Sequence, residues 1–196
     1  MHEPDIALDK REVVSDPLAR VPLLILAWRA PPMGDPDWFP LQSLAEVLGA
    51  GEASRLLASL VKGAGVASGV SASLEDSPGP NFFTIIVTAV AGKDRSQIES
   101  LCNQEIERVA REGVPDTELE RVRMNALRNR ALTLVSSMAR SVALARLEAF
   151  FANPAALNEW ENQERRLSSD ALRRVAARYL TPANRVELTV VPGESQ

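Results

Sequence analysis

The chain has 196 residues, 45% of them hydrophobic and 24% charged, with a formal net charge of −4. That is globular rather than disordered composition, and the length favours one domain that buries its core without a disulfide or metal. Mild acidity lacks the basic footprint of a nucleic-acid binder. The single cysteine leaves no disulfide framework or cysteine-cluster metal site, and the single histidine, His2, excludes any mechanism that needs two histidines within this chain.

Residues 1–20 are charged, lack the apolar stretch of a secretory leader, and read as an extended lead-in whose first ten residues are flexible. The apolar run 21–28 is far too short to span a bilayer, so no membrane partner is expected. With Pro22 at its start and Pro31-Pro32 after it, the run predicts a strand buried on both faces or at a sheet centre. Asp35-Pro36-Asp37 predicts a helix start, with Asp37 as the cap and Pro40 in the first turn. Leu41, Leu44, Ala45 and Leu48 make the apolar face of that helix, and Gly49-Ala50-Gly51 stops it. A short helix from about Ala53 carries Leu56, Leu57 and Leu60 on one side and ends at Gly63 and Gly65. Segments 66–74 and 81–91, joined by the turn Asp76-Ser77-Pro78-Gly79-Pro80, read as an antiparallel strand pair.

The second half reads as mostly helical. A helix over 94–112 places Ile98, Cys102, Ile106 and Val109 on one face, and Gly113 closes it. A proline-free stretch over 116–151 predicts a long helix with a break near Ser136-Ser137, ended by Asn153-Pro154. Further helices are expected over 155–166 and after a cap at Ser168 or Ser169, followed by a turn at 181–184 and a last strand over 186–191. The order of elements predicts a single α+β domain over 1–196, with helices packed on one face of a mostly antiparallel sheet.

The chemistry is sparse. Gly49-Ala50-Gly51 with Ser54 lacks the preceding strand and third glycine of a dinucleotide fingerprint and reads as a link between two helices. Cys102 sits on an apolar helix face and reads as buried and inert. Ser54, Ser68 and Ser71 have no histidine base, and nothing marks Lys62 as a substitute. Glu118 and Glu120 suit a helix start. Arg121, Arg123, Arg128 and Arg130 read as a solvated, partly paired face, and Trp28, Trp38 and Trp160 as packing residues.

The segment from Asp37 through Leu48-Gly49-Ala50-Gly51 and Ser54-Arg55-Leu56-Leu57, leading to a strand, resembles the C-terminal, non-zinc-binding half-domain of insulinase/pitrilysin-type zinc peptidases, the group that includes mitochondrial processing peptidase. Gly79-Pro80-Asn81-Phe82, Gly113-Val114-Pro115-Asp116, Ser168 to Val175, and Tyr179-Leu180-Thr181-Pro182-Ala183-Asn184 match in order and spacing, over roughly residues 10–192. The resemblance implies a half-domain that closes like a clamshell with a partner copy, in cis or in a second chain, around a peptide substrate. Zinc is then expected in that partner half, on H-x-x-E-H, with no catalytic or metal-binding residue here. Many members carry an arginine and a tyrosine in a stretch like L-R-x-x-x-G-L-A-Y. The matching positions are Val61 and Ser68, and Lys62 stands one residue away, rotated by about 100° on a regular helix. The resemblance thus implies a non-catalytic, substrate-enclosing half with Arg55, Lys62 and Ser68 as candidate peptide contacts. The alternative is a structural or assembly protein that keeps the fold without proteolysis. Such a half, alone, would expose its partner-facing surface and is expected to self-associate, as a homodimer for example.

Overall fold

Side-chain alternation decides the strands. In β2 (Leu23–Ala30) every second residue, Leu24, Leu26, Trp28 and Ala30, is buried, and β4 (Asn81–Ala89) repeats the pattern with Phe83, Ile85, Val87 and Ala89. The period of two places these side chains on one face. The computed structural model describes residues 10–193. Within them β1 (Lys10–Asp16), β3 (Ala67–Leu74) and β5 (Arg185–Pro192) complete a five-stranded sheet in the order β1-β5-β2-β4-β3. All neighbours are antiparallel except β1 and β5.

Six α-helices are described: α1 (Trp38–Gly49), α2 (Arg95–Glu112), α3 (Asp116–Val135), α4 (Ser137–Phe151), α5 (Ala156–Arg166) and α6 (Ser169–Tyr179). A π-helical segment, Leu57–Gly63, precedes β3. The expected α+β fold with helices on one face of a mostly antiparallel sheet is what forms. Helix α1 lies on β3 and β4, α6 reaches β2, and α2 packs on α6. Leu41, Leu44, Leu48, Ile98, Val109 and Leu172 meet the buried face of the sheet in one continuous apolar cluster. The caps follow the sequence: Asp94 accepts from the Ser96 amide, Ser136 from Ala139 at the break between α3 and α4, and Ser168 from Ala171. No helix of the described residues is long and apolar enough to cross a membrane.

The structure adds one element and corrects one expectation. Part of the extended lead-in, Lys10–Asp16, is strand β1, paired from Lys10↔Val186 to Asp16↔Pro192. Its residues show no apolar alternation, because an edge strand gains its order from the neighbour it pairs with and its charges suit an exposed edge. Residues 1–9, His2 among them, lie outside the described residues. Asp37 stands at the start of α1, but its side chain makes no cap bond. It is buried and accepts from Arg174 and Arg178, each at 2.9 Å, and from Tyr179 Oη at 3.1 Å. A carboxylate with three charged or phenolic donors on α6 gains more there than from one amide. Burial, together with the Asp37 charge and its hydrogen bond, pushes the Tyr179 phenol up to about 12.

Candidate functional site

The segment singled out by Arg55, Lys62 and Ser68 is the most irregular stretch of backbone beside the sheet. After α1 the chain turns at Gly51 (φ +76°), and Ser54 enters the core with its Oγ unpartnered. Helical residues from Arg55 then widen to π geometry over Leu57–Gly63, where the Ala64 amide donates to the Ser59 carbonyl. Gly65 (φ +59°) releases the chain into β3. At the start of β3 the register with β4 slips: Ala67 opposes Ala89 and Gly69 opposes Thr88, leaving Ser68 as the bulged residue. Single π turns and β-bulges re-aim side chains and recur at functional sites. Here they bracket the positions where the family resemblance places substrate contacts.

The three side chains are held by three different partners. Arg55 forks onto Glu118 of α3, with Nη2 donating to Oε2 at 2.6 Å and Nε to both oxygens at 3.1 Å. Their side chains are 14% and 16% exposed, so this bidentate pair is a tether and not a loose surface contact. Glu118 therefore does more than favour a helix start. Arg55 also borders a cleft of about 730 Å³ shared with Ser59, Glu105, Arg108 and Pro115. Lys62 is exposed and folds back on Glu52, donating to its carbonyl at 2.7 Å and meeting its carboxylate at 3.1 Å. Ser68 donates to the Thr88 carbonyl at 3.3 Å across its own hairpin. Val61, at the family's arginine position, packs against the core.

The remaining candidates offer no nucleophile or metal ligand set. Cys102 is buried, and burial pushes its thiol up to about 12. Among the described residues no group of three or more His, Cys, Asp or Glu side chains could hold a metal ion, so the side chains described do not fit a zinc site. The basic run is less solvated than expected. Arg123 donates to the Glu164 and Leu167 carbonyls at 3.2 and 2.7 Å, clamping the end of α5, and Arg130 lies over Trp160. Trp28 and Trp38 are buried as expected.

The outer face of the sheet is apolar as well, as the unbroken run 21–28 suggests for a strand buried on both faces or at a sheet centre. Leu23, Ile25 and Ala27 of β2 register with Val190, Leu188 and Val186 of β5 and with Thr88, Ile86 and Thr84 of β4. Their side chains point away from the helices and stay partly open, with Ile86 37% and Phe82 40% exposed. Unbroken apolar runs such as 23–28 carry this second face in plain view, but a run alone does not say whether one face or two are buried.

The family described as Peptidase M16 inactive domain matches residues 2–126. No curated protein matches significantly. Among solved structures, a protease from Helicobacter pylori superposes with a TM-score of 0.87 at 19% identity, covering 95% of this chain and 46% of that one. A protein from Bordetella pertussis Tohama I named a "putative zinc protease" gives 0.81 at 25% identity over 92% of this chain and 98% of its own. A chain of complex III from Candida albicans gives 0.80 at 11% identity, over 95% of this chain and 46% of that one, and is similar in fold alone. The chain thus spans about half the length of the Helicobacter protease and nearly all of the Bordetella chain. In this family inactive domains pair with catalytic halves, and zinc belongs to that other half. The insulinase-type resemblance is borne out: the chain belongs to the Peptidase M16 inactive domain family and is a non-catalytic domain of the kind found in these zinc proteases.

Proposed function

We propose that this domain is the substrate-enclosing half of an insulinase-type zinc peptidase and supplies binding surface to peptides cut by a zinc-bearing partner half, in cis or in a second chain. The observation that carries the reading is the partly open apolar face of the sheet, Leu23, Ile25, Phe82, Ile86 and Leu188, beside the irregular segment 55–68. Contiguous exposed apolar surface marks a place where another chain is held. Exposed Ser68 meets Thr88, which registers with Leu23 on that face, exposed Lys62 is a second peptide contact on the same segment, and Arg55 fixes the segment against α3.

The test is to combine this chain with the zinc-bearing half from the same source and follow cleavage of unfolded, internally quenched peptides. The isolated chain is expected to cleave nothing, and the combination to cleave. Ile86→Lys should lower kcat/KM about tenfold while leaving the melting temperature near that of the parent, since Ile86 faces outward. Unchanged kinetics in that variant would remove the role assigned to this face. A second reading, a structural or assembly protein, is favoured by one observation: Val61 and Ser68 stand where many members have an arginine and a tyrosine. It predicts that the two halves assemble tightly and cleave no peptide.

A further inference from the structure

A second cleft, among α1, α3 and α5, has a volume of about 250 Å³ and is bordered by Phe39, Glu46, Arg130, Trp160 and Glu164. Two buried polar atoms in it, Arg130 Nη2 and Glu164 Oε2, have no hydrogen-bond partner. Glu164 is only 9% exposed. The Arg130 guanidinium lies 3.4 Å from the Trp160 ring centroid, and Phe39 meets the same ring edge-on at 6.3 Å. Orphaned buried donors and acceptors are costly and call for a partner. The neighbouring charges are otherwise engaged: Arg123 is paired with Glu120 at 2.6 Å while also donating to backbone carbonyls, and Asp76 is paired with Arg146 at 2.9 Å. Two carboxyls, Glu46 and Glu164, therefore face the cleft against a single guanidinium, and negative charge is in excess there once Glu164 ionises. Burial pushes the Glu164 carboxyl up to about 7 and lowers Arg130 to about 10, so both titrate as desolvated, underpartnered groups.

An occupant must present a donor and an acceptor side by side, bring positive charge, offer an apolar surface to the rings, and be no larger than one amino-acid residue, since ordinary ligand pockets run from about 300 Å³ upward. We propose that this cleft binds the ammonium group and adjoining carbonyl oxygen of an α-amino compound with an apolar side chain. The ammonium donates to Glu164 Oε2 beside Glu46, the carbonyl accepts from Arg130 Nη2, and the side chain lies against Phe39 and Trp160. A bridging water satisfies the two atoms but leaves the excess charge and the aromatic wall unused.

The experiment is an NMR titration of the full chain with L-phenylalaninamide, L-phenylalanine and N-acetyl-L-phenylalaninamide, reading the indole and backbone signals of the cleft. Saturable shifts are expected with the first and none with the acetylated compound, which lacks the ammonium. Glu164→Gln, which keeps the shape and removes the buried charge, should weaken binding about tenfold or more. Glu46→Gln serves as the second variant and should weaken binding less. Phenylalanine binding as tightly as its amide identifies a free amino acid as the source, and binding of the amide alone identifies the amino terminus of a peptide. No saturable shift with either, or equal shifts with the acetylated compound, overturns the assignment and leaves a water-filled cleft.

Discussion

Gly49→Ala sets two effects of opposite sign against each other. Gly49 is the last residue of α1, and replacing a helical glycine by alanine stabilises an unobstructed helix by about 1 kcal/mol. At this position a Cβ would stand 2.2 Å from the Ala72 backbone nitrogen, 2.6 Å from Ala72 Cβ and 2.8 Å from the Ser71 carbonyl carbon. Ordinary contact begins at 3.4 Å, so α1 and β3 must separate by more than an ångström. β3 cannot yield locally, because Ser71 and Ala72 are held in register with Ile86 and Ile85 of β4. The helix must lift instead and loosen Leu41, Leu44, Ala45 and Leu48 from the core. Overpacking of this kind costs about 1–3 kcal/mol, and the upper end applies where backbone meets the new atom. After the propensity gain the net loss is about 2 kcal/mol, or about 4–8 °C in Tm for a chain of this size. Urea denaturation followed by tryptophan fluorescence measures it. Gly51→Ala is the control: nothing lies within 4 Å of its Cβ, and φ of +76° makes the cost, about 1 kcal/mol, purely conformational. A Gly49→Ala protein as stable as the parent, or more so, would refute the claim that helix and sheet approach this closely.

Two further outcomes follow from the ionic groups. Glu164 binds its proton more tightly in the folded chain, at about 7 against an ordinary 4.5, so stability falls as pH rises between those values and is level above. Glu164→Gln should therefore match the parent near pH 4.5 and exceed it progressively up to about 3 kcal/mol above pH 7.5, a ceiling read from parallel urea titrations; a pH-independent difference would contradict the buried carboxyl. Arg55→Ala leaves Glu118 without its bidentate partner at 16% side-chain exposure and should cost about 2 kcal/mol. Hydrogen exchange should quicken across Leu57–Gly63 while β4 is unchanged, and uniform exchange would show that the tether holds nothing locally.

Much of the architecture was legible because it rests on local rules. The alternation in 81–89, the helix start at Asp94, the break at Ser136 and the stop at Gly113 each follow from the residues at hand. What escaped depended on distant partners. β1 is ordered by β5, some 176 residues on in register. Asp37 has the composition of a cap, but α6 brings it two arginines and a tyrosine. A π-helix has no sequence signature distinct from an α-helix, so Leu57–Gly63 read as an ordinary short helix. The cleft of Arg130, Trp160 and Glu164 was illegible for the same reason. Its residues come from α3, which shows little apolar periodicity of its own, and from α5, and only packing sets a guanidinium on an indole.

The geometry around β3 separates two ways of serving a peptidase. A residue that polarises a substrate carbonyl acts in the transition state and changes kcat, whereas a surface that holds extended chain binds ground state and transition state alike. Segment 55–68 has the bulge and the widened helix that aim side chains, yet Val61 packs against the core, Arg55 is tied to Glu118, and exposed Ser68 donates to Thr88. The outward surface is instead aliphatic and aromatic. Binding energy of that sort appears in KM. On the enclosing reading, the ten-fold loss in Ile86→Lys should reside in KM with kcat nearly unchanged. A fall in kcat at constant KM would instead mean that this face positions the scissile bond, and a wall that only encloses could not do that.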